Sequence, residues 1–350
     1  MKRILSIDGG GIRGIIPGQV LVALEEKLQH RSGNSDARLA DYFDFFAGTS
    51  TGGILTCISL CPSELDPTKA RFSAQEAVDL YVHYGKDIFD VTLWQQLQSG
   101  FGTFDEKYNA SALEELLERY FGELRLSQLL KPCLIPAYDT ERRAAHFFAQ
   151  HDSNKLGAGA DFLVRDVCRA TSAAPTYFET AMVRSCSGVP YSLVDGGVFA
   201  NNPALCAYSE VRNAMGNPSA KDMFLVSLGT GSMHTPYDYT EAKDWGAIGW
   251  IRPVIDIMMA GASETTDYHL SKMFSAGGNE ANYVRIQPAW MGNASLDMDN
   301  ATAANIQALV EVGVETAQNC AAELDRIVDV LLAGTDPVEY EVLQQTTAAG

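Results

Sequence analysis

Ser50 stands with a glycine two places before it and another two places after it, in Gly48-Thr49-Ser50-Thr51-Gly52-Gly53. The run before it, Tyr42-Phe43-Asp44-Phe45-Phe46-Ala47, is aromatic and fits a strand. The apolar run after it, Ile54-Leu55-Thr56-Cys57-Ile58-Ser59-Leu60, reads as the start of a buried helix. A serine on a strand-to-helix turn between small residues is the pattern of a nucleophile elbow. The small neighbours allow a turn so tight that the hydroxyl is pushed clear of the sheet, and the first N–H groups of the new helix face whatever it attacks. The same residues would also make an ordinary loop. The chemistry therefore depends on whether the chain supplies a base and an oxyanion hole.

Two further stretches answer that need. Asp8-Gly9-Gly10-Gly11-Ile12-Arg13-Gly14 follows an apolar run over 2–7 and precedes helical spacing at Ile16, Val20, Leu21, Leu24 and Leu28. Gly9, Gly11 and Gly14 satisfy the dinucleotide spacing G-x-G-x-x-G, but residues 30–38 are polar and no second strand ends in an acid where that fold needs one. The other use of a glycine loop at a helix N-terminus is to offer bare N–H groups to a phosphate or a developing oxyanion. Farther on, Tyr191-Ser192-Leu193-Val194 reads as a strand running into Asp195-Gly196-Gly197, which places an acid at a strand end. In a parallel sheet the glycine loop, Ser50 and Asp195 would share the carboxyl edge, where α/β proteins place their sites.

A serine hydroxyl needs a base. Of the six histidines, His30, His83, His146 and His151 precede Asp195, whereas His234 and His269 fit a Ser, Asp, His order. A triad of Ser50, Asp195 and His234 or His269 is one arrangement. The other is a dyad in which Asp195 itself takes the proton, which requires a direct hydrogen bond and a water-poor site, because an unperturbed aspartate is a weak base. Asp195 also reads as a simple turn acid.

The elements that must hold these residues alternate between strand and helix, which favours one α/β/α domain. Helices are expected over 15–29, 74–90, 110–121 and 162–170, with Ser111 as N-cap and Glu114 three later. Asn202 as N-cap and Pro203 at the first helical position open another helix, reaching about Met215. Strands are expected over 133–138, 146–149, 223–228 and 283–286. Residues 91–104 read as loop or short helices, 303–332 as one long helix or two, and 334–350 as a flexible tail, giving a single domain over 1–333. Over 244–262 the residues Ile248, Ile251, Ile255, Met258 and Met259 share a helical face, widened by Trp245 and Trp250. That helix reads as core, as a cap over the site, or as a surface that dips into lipid, with Trp250 and Met258 the candidate substrate contacts.

At 46% hydrophobic the 350 residues can bury a large core. The formal charge of −18 and the lack of a Lys/Arg cluster argue against a nucleic-acid polymer as partner and against electrostatic docking on an anionic membrane, but not against apolar contact with lipid. The seven cysteines are scattered, with no Cys-x-x-Cys pair, and read as reduced thiols. The chain reaches the glycine loop directly after Met1-Lys2-Arg3-Ile4-Leu5-Ser6-Ile7, leaving no room for a signal-peptide apolar region. No apolar run approaches the ~20 residues of a membrane span. A cytoplasmic protein, peripheral at the membrane at most, is expected.

Taken together, the Asp8–Gly14 loop, Gly48-Thr49-Ser50-Thr51-Gly52 and Asp195-Gly196-Gly197 resemble, in order and spacing, the patatin-like phospholipase family. Ala170-Thr171-Ser172-Ala173-Ala174-Pro175 and Asn201-Asn202-Pro203 also resemble family segments, and the likeness runs from residue 1 to about 330. The resemblance implies a three-layer α/β/α fold with a central, mostly parallel sheet and a nucleophile elbow. It implies a Ser50–Asp195 dyad and an oxyanion hole at Gly9, Gly10, Gly11, Ile12, Arg13 and Gly14. The implied activity is cleavage of the acyl esters of phospholipids or lysophospholipids through an acyl-serine, with transient membrane contact and no metal or other cofactor. Arg13 either adds charge stabilisation, meets a phosphate head group, or fixes its loop by a salt bridge. The chain looks closer to intracellular members than to secreted storage proteins. Some bacterial members are switched on by cyclic oligonucleotides in anti-phage defence, so a cyclic-nucleotide activator is a further expectation, though no motif here marks a site for one. Outside the resemblance, a triad esterase on small soluble esters and a non-enzymatic nucleotide-binding regulator stay open.

Overall fold

The strand Lys2–Ile7 (β1) lies inside the sheet because it is apolar on both faces. Leu5 and Ile7 join the core on one side and Ile4 joins the core on the other. Phe45–Gly48 (β2) alternates in the same way, with Phe46 on the first face and Phe45 and Ala47 on the second. Strands buried on both faces belong to a sheet covered by helices on both sides. The computed structural model describes residues 1–88, 110–231 and 237–333. The expected loop over 91–104, His234 and the expected tail from 334 therefore lie outside the described residues.

The other strands are Cys133–Asp139 (β3), Ala144–Ala149 (β4), Ala181–Arg184 (β5), Pro190–Asp195 (β6), Met223–Leu228 (β7) and Tyr283–Ile286 (β8). Along the sheet they run β5-β6-β3-β2-β1-β7-β8, with β4 also paired to β3. The pairs β3-β2, β2-β1, β1-β7 and β7-β8 are parallel, and β4, β5 and β6 add antiparallel pairs. The larger core lies under Ile15–Ser32 (α1), Thr51–Ser59 (α2), Ala74–Ile88 (α3), Ser111–Phe121 (α4), Val164–Thr171 (α5) and Ala303–Asn319 with Ala321–Ala333. The other face packs on Ala204–Ala214 (α6) and Ala247–Ala276 (α7). The result is the expected three-layer α/β/α arrangement around a mixed, mostly parallel sheet.

Three local expectations shift. The expected strand over 42–47 splits into a one-turn helix, Leu39–Tyr42, and the shorter β2. Ser111 is the first residue of α4 rather than its cap, and Glu114 reaches across to Arg169 Nε at 2.9 Å. Asn202 does accept the Ala204 N–H at 3.0 Å, although Pro203 rather than Asn202 is the residue adjoining α6.

One correction concerns the site directly. Asp195 does not end a parallel strand. Leu134 pairs with Ala47 of β2 and with Ala149 of β4, while Ala137 pairs with Asp195 of β6 and with His146 of β4. A strand has two edges, so β4 occupies one edge of β3 while β2 and β6 share the other, end to end. β2 runs up that edge and β6 runs down it. Extending the β2 register from Ala47↔Leu134 brings residue 50 level with Ala137, the residue that Asp195 faces. Ser50 and Asp195 meet where two strands running in opposite directions stop.

Candidate active site

The gap between β2 and β6 leaves Pro136 of β3 without a strand partner on that edge. A proline fits here because it has no N–H to satisfy. Its carbonyl accepts the Thr171 hydroxyl at 2.7 Å, and the same hydroxyl oxygen accepts the Ser50 N–H at 2.9 Å. Thr171, fully buried at the end of α5, thus ties the nucleophile's backbone to the strand gap. Thr49 pins the other side, its hydroxyl donating to the Ala200 carbonyl at 2.6 Å. These anchors hold Ser50 at φ 55° and ψ −123°, a region that costs a non-glycine residue about 1–3 kcal/mol. The predicted elbow is present in its strained form. Gly52 is required here by close approach, since a Cβ on it would stand 2.2 Å from the Ile7 carbonyl oxygen.

Thr171→Val keeps the shape but leaves two buried backbone groups unpaired. The expected result is a loss of about 1–3 kcal/mol of stability, read by denaturant unfolding. A larger fractional loss of kcat than of KM is expected beside it, because the elbow loses the bond that sets its angle.

Asp195 is buried, 3% exposed, and its Oδ1 accepts the Gly197 N–H at 2.7 Å. The Ser50 side chain lies close enough to the same carboxylate to pull its pKa down. Burial raises the Asp195 pKa to about 7, against the opposing pull of the Gly197 N–H and the nearby Ser50 side chain. An ordinary aspartate is too weak a base at neutral pH. This one titrates where a general base is useful.

The glycine loop sits beside them. Several of its amides are engaged: Gly9 N–H donates to the Asn201 carbonyl at 3.0 Å, Ile12 to Met298 at 2.8 Å and Arg13 to Gly10 at 3.2 Å. The amides of Gly10 and Gly11 have no backbone acceptor of that kind among the described residues. Of the predicted set Gly9, Gly10, Gly11, Ile12, Arg13 and Gly14, the amides of Gly9, Ile12 and Arg13 are thus engaged within the fold. Gly11 has φ +58°, and a Cβ there would stand 2.2 Å from the Met298 carbonyl oxygen. The loop is anchored at its start by Asp8, whose carboxylate takes two bonds from Arg285, at 2.9 and 2.5 Å. Burial pushes the Asp8 pKa up, and the Arg285 guanidinium opposes the shift. The Arg13 guanidinium donates to the carbonyls of Gly10 and Gly231, at 3.3 and 3.2 Å. It fixes the loop through carbonyl oxygens rather than through the expected salt bridge.

Ser50, Asp195 and Gly11 open on one cavity whose wall is almost wholly apolar. Leu80 and Ile88 of α3, Leu113 of α4, Phe178, and Ile255 and Met259 of α7 line it. No histidine lines it among the described residues, and His269 is exposed on α7. Trp250 and Met258 do not reach the cavity. Trp250 packs edge to face on Trp245 with ring centres 5.1 Å apart, and Met258 points outward, one residue round the helix from Met259. Trp250, Val254, Ile257 and Met258 instead form an exposed apolar stripe, each at least 41% accessible. Among the described residues no group of three or more His, Cys, Asp or Glu could hold a metal ion, and no helix is long and apolar enough to cross a membrane. All seven cysteines are unpaired.

Sequence reasoning did not find the roles of Thr171, Arg285 or Ile255. Thr171 and Asn201 lay in segments already noted, but nothing in a threonine at a helix end tells that it bridges two strands.

Comparison with known proteins agrees with this arrangement. Residues 5–208 match the family model described as patatin-like phospholipase. Patatin group J-1 of Solanum tuberosum is 37% identical over 331 residues, which cover 89% of this chain and 83% of that one. Patatin-like protein 1 of Oryza sativa subsp. indica is 34% identical, covering 95% of this chain and 86% of its own. At 35% identity, covering 92% of this chain and 88% of its own, stands a Solanum tuberosum relative named probable inactive patatin-3-Kuras 1. Identity at this level therefore does not decide activity.

Proposed function

The chain belongs to the patatin-like phospholipase family, and from that premise we propose that it is a serine acyl hydrolase of glycerolipids working through a Ser50–Asp195 dyad. The observation that carries this reading is the meeting of a strained Ser50 with a buried carboxylate whose pKa is raised to about 7. In the proposed reaction Ser50 Oγ attacks the ester carbonyl carbon while Asp195 takes the hydroxyl proton. The N–H groups of Gly10 and Gly11 hold the oxyanion. The carbon–oxygen bond to the alcohol then breaks, Asp195 returns its proton to the departing lysolipid or alcohol, and an acyl-Ser50 ester remains. Asp195 next takes a proton from water, whose oxygen attacks the acyl carbon; the bond from that carbon to Ser50 Oγ breaks, Asp195 returns the proton to Oγ, and fatty acid leaves. The apolar cavity receives the acyl chain. The lack of a histidine on its described wall favours the dyad over a triad.

The exposed stripe Trp250, Val254, Ile257 and Met258 lies on the helix whose inner side, Ile255 and Met259, lines the cavity. We take it as the face that touches lipid. The test is fatty-acid release from defined phospholipid vesicles, followed by mass spectrometry, alongside a soluble short-chain ester. Release of fatty acid from both supports the reading, and turnover of neither would remove it. In Trp250→Asp the vesicle rate should fall about tenfold relative to the soluble-ester rate of the same variant, roughly 1.4 kcal/mol of lost interfacial contact. An equal fall on both substrates would make Trp250 a packing residue only.

A further inference from the structure

Beside the apolar cavity, and sharing Met259 and Met298 with it as a wall, lies a second cavity of about 190 Å³ that several charged side chains line. Its charged groups are four carboxylates, Asp8, Asp256, Glu264 and Asp267, against two guanidiniums, Arg13 and Arg285. Asp8 and Arg285 satisfy one another, and Asp267 accepts the Tyr283 hydroxyl at 2.7 Å. The remaining charges have no ion-pair partner among the described residues.

Arg13 is only 7% exposed, yet its bonds go to two neutral carbonyl oxygens through Nε and Nη1. Its Nη2 makes no hydrogen bond among the described residues, and it is not sealed from solvent as other unsatisfied buried atoms are. The cavity is where it opens. Arg13 has no salt bridge among the described residues; burial pulls its pKa down, and Asp256 is the foremost charge opposing that shift. Across from the loop, α7 contributes Asp256, bonded to the Tyr237 hydroxyl at 3.0 Å, and the exposed Glu264 at the rim. Arg13 therefore sits on the oxyanion loop facing Asp256 without a salt bridge, and Asp256 and Glu264 of α7 line the same cavity.

We propose that this cavity is a head-group subsite for zwitterionic phospholipids, with phosphate oxygens at Arg13 and the ammonium at Asp256 and Glu264. The inference rests on the acyl hydrolase reading and names its substrate class. The acyl chain lies in the apolar cavity, the ester at Gly10 and Gly11, and the glycerol passes between Met259 and Met298, unbranched side chains that re-pack readily. An anionic head group lacking an amine would satisfy Arg13 but leave Asp256 and Glu264 facing negative charge.

The test is calorimetric binding of monomeric dihexanoyl phospholipids to the Ser50→Ala protein. Phosphatidylcholine and phosphatidylethanolamine should bind about tenfold more tightly than phosphatidylglycerol with the same chains, the equivalent of one charge-assisted contact. Asp256→Asn combined with Glu264→Gln should narrow that ratio to about twofold. Glu264→Lys, a change at an exposed position that the fold tolerates, should shift preference toward phosphatidylglycerol. Equal binding of all three lipids to the Ser50→Ala protein, or a preference that survives these substitutions, would overturn the subsite. Turnover by the unsubstituted enzyme separates the two readings. Preference without turnover keeps the subsite and removes the hydrolase, whereas turnover without preference does the reverse.

Discussion

Replacing Ser50 with alanine should lower kcat/KM for ester hydrolysis by about 10⁴-fold or more, because Ser50 is the cavity hydroxyl held on the strained turn beside Asp195. The fold should persist, since the hydroxyl packs on nothing that the core needs. A glycine at the same position separates the chemistry from the strain. Ser50 sits at φ 55° and ψ −123°, where a side chain is disfavoured and glycine is not. Ser50→Gly should therefore be as inactive as Ser50→Ala, yet more stable than the unsubstituted protein by about 1 kcal/mol, read by denaturant unfolding. Residual hydrolysis above a tenth of the original in either variant would mean that Ser50 is not the nucleophile.

Asp195→Asn should lose activity by about 10³-fold or more, because the variant keeps the shape and the Gly197 bond but cannot take the Ser50 proton. Its stability should move the other way. The folded Asp195 has its pKa raised from 3.8 to about 7, so between those values the folded state holds a proton that the unfolded state has lost. Stability from this group is thus highest in acid and falls as pH rises from about 4 to about 7. At pH 8 the buried charge costs up to about 4 kcal/mol, which asparagine removes. The expected observation is an Asp195→Asn protein that melts several degrees higher than the unsubstituted one at pH 8 and at the same temperature near pH 4. Loss of stability at pH 8 would show that Asp195 is held by compensating contacts and does not carry the burial penalty that makes it basic.

Ser50, Asp195 and the glycine loop were legible in the sequence because each is an unusual local pattern: a serine between glycines after an aromatic strand, an acid before two glycines, and three glycines after a buried strand. The layered fold was legible for a similar reason, since both faces of β1, β2 and β7 are apolar. What escaped was relational. The direction of β6 is not written in Tyr191-Ser192-Leu193-Val194, whose residues would suit a parallel strand equally well. Only the pairing with β3 shows that it runs down the edge β2 runs up. Trp250 and Met258 lie on the outer side of their helix: the helix was recognised, but which of its faces meets the cavity depends on how it docks, and Ile255 and Met259 face inward. That Asn201, Met298 and Gly10 engage the amides of Gly9, Ile12 and Arg13 could not be read from the loop's own residues. Arg13 was noticed by type, but that its guanidinium bonds go to the Gly10 and Gly231 carbonyls is visible only in the fold.

The central claim is that Asp195 activates Ser50 directly. Fluorophosphonate labelling followed by intact-mass analysis tests it without reference to any lipid, since the probe reads only the nucleophilicity of the serine. One adduct should form, on Ser50, at a rate that rises through a pH of about 7 as Asp195 loses its proton. In Asp195→Asn the labelling rate should drop by about 10²-fold or more, while His269→Ala should label at the original rate. Labelling of Ser50 at an undiminished rate in Asp195→Asn would contradict the dyad.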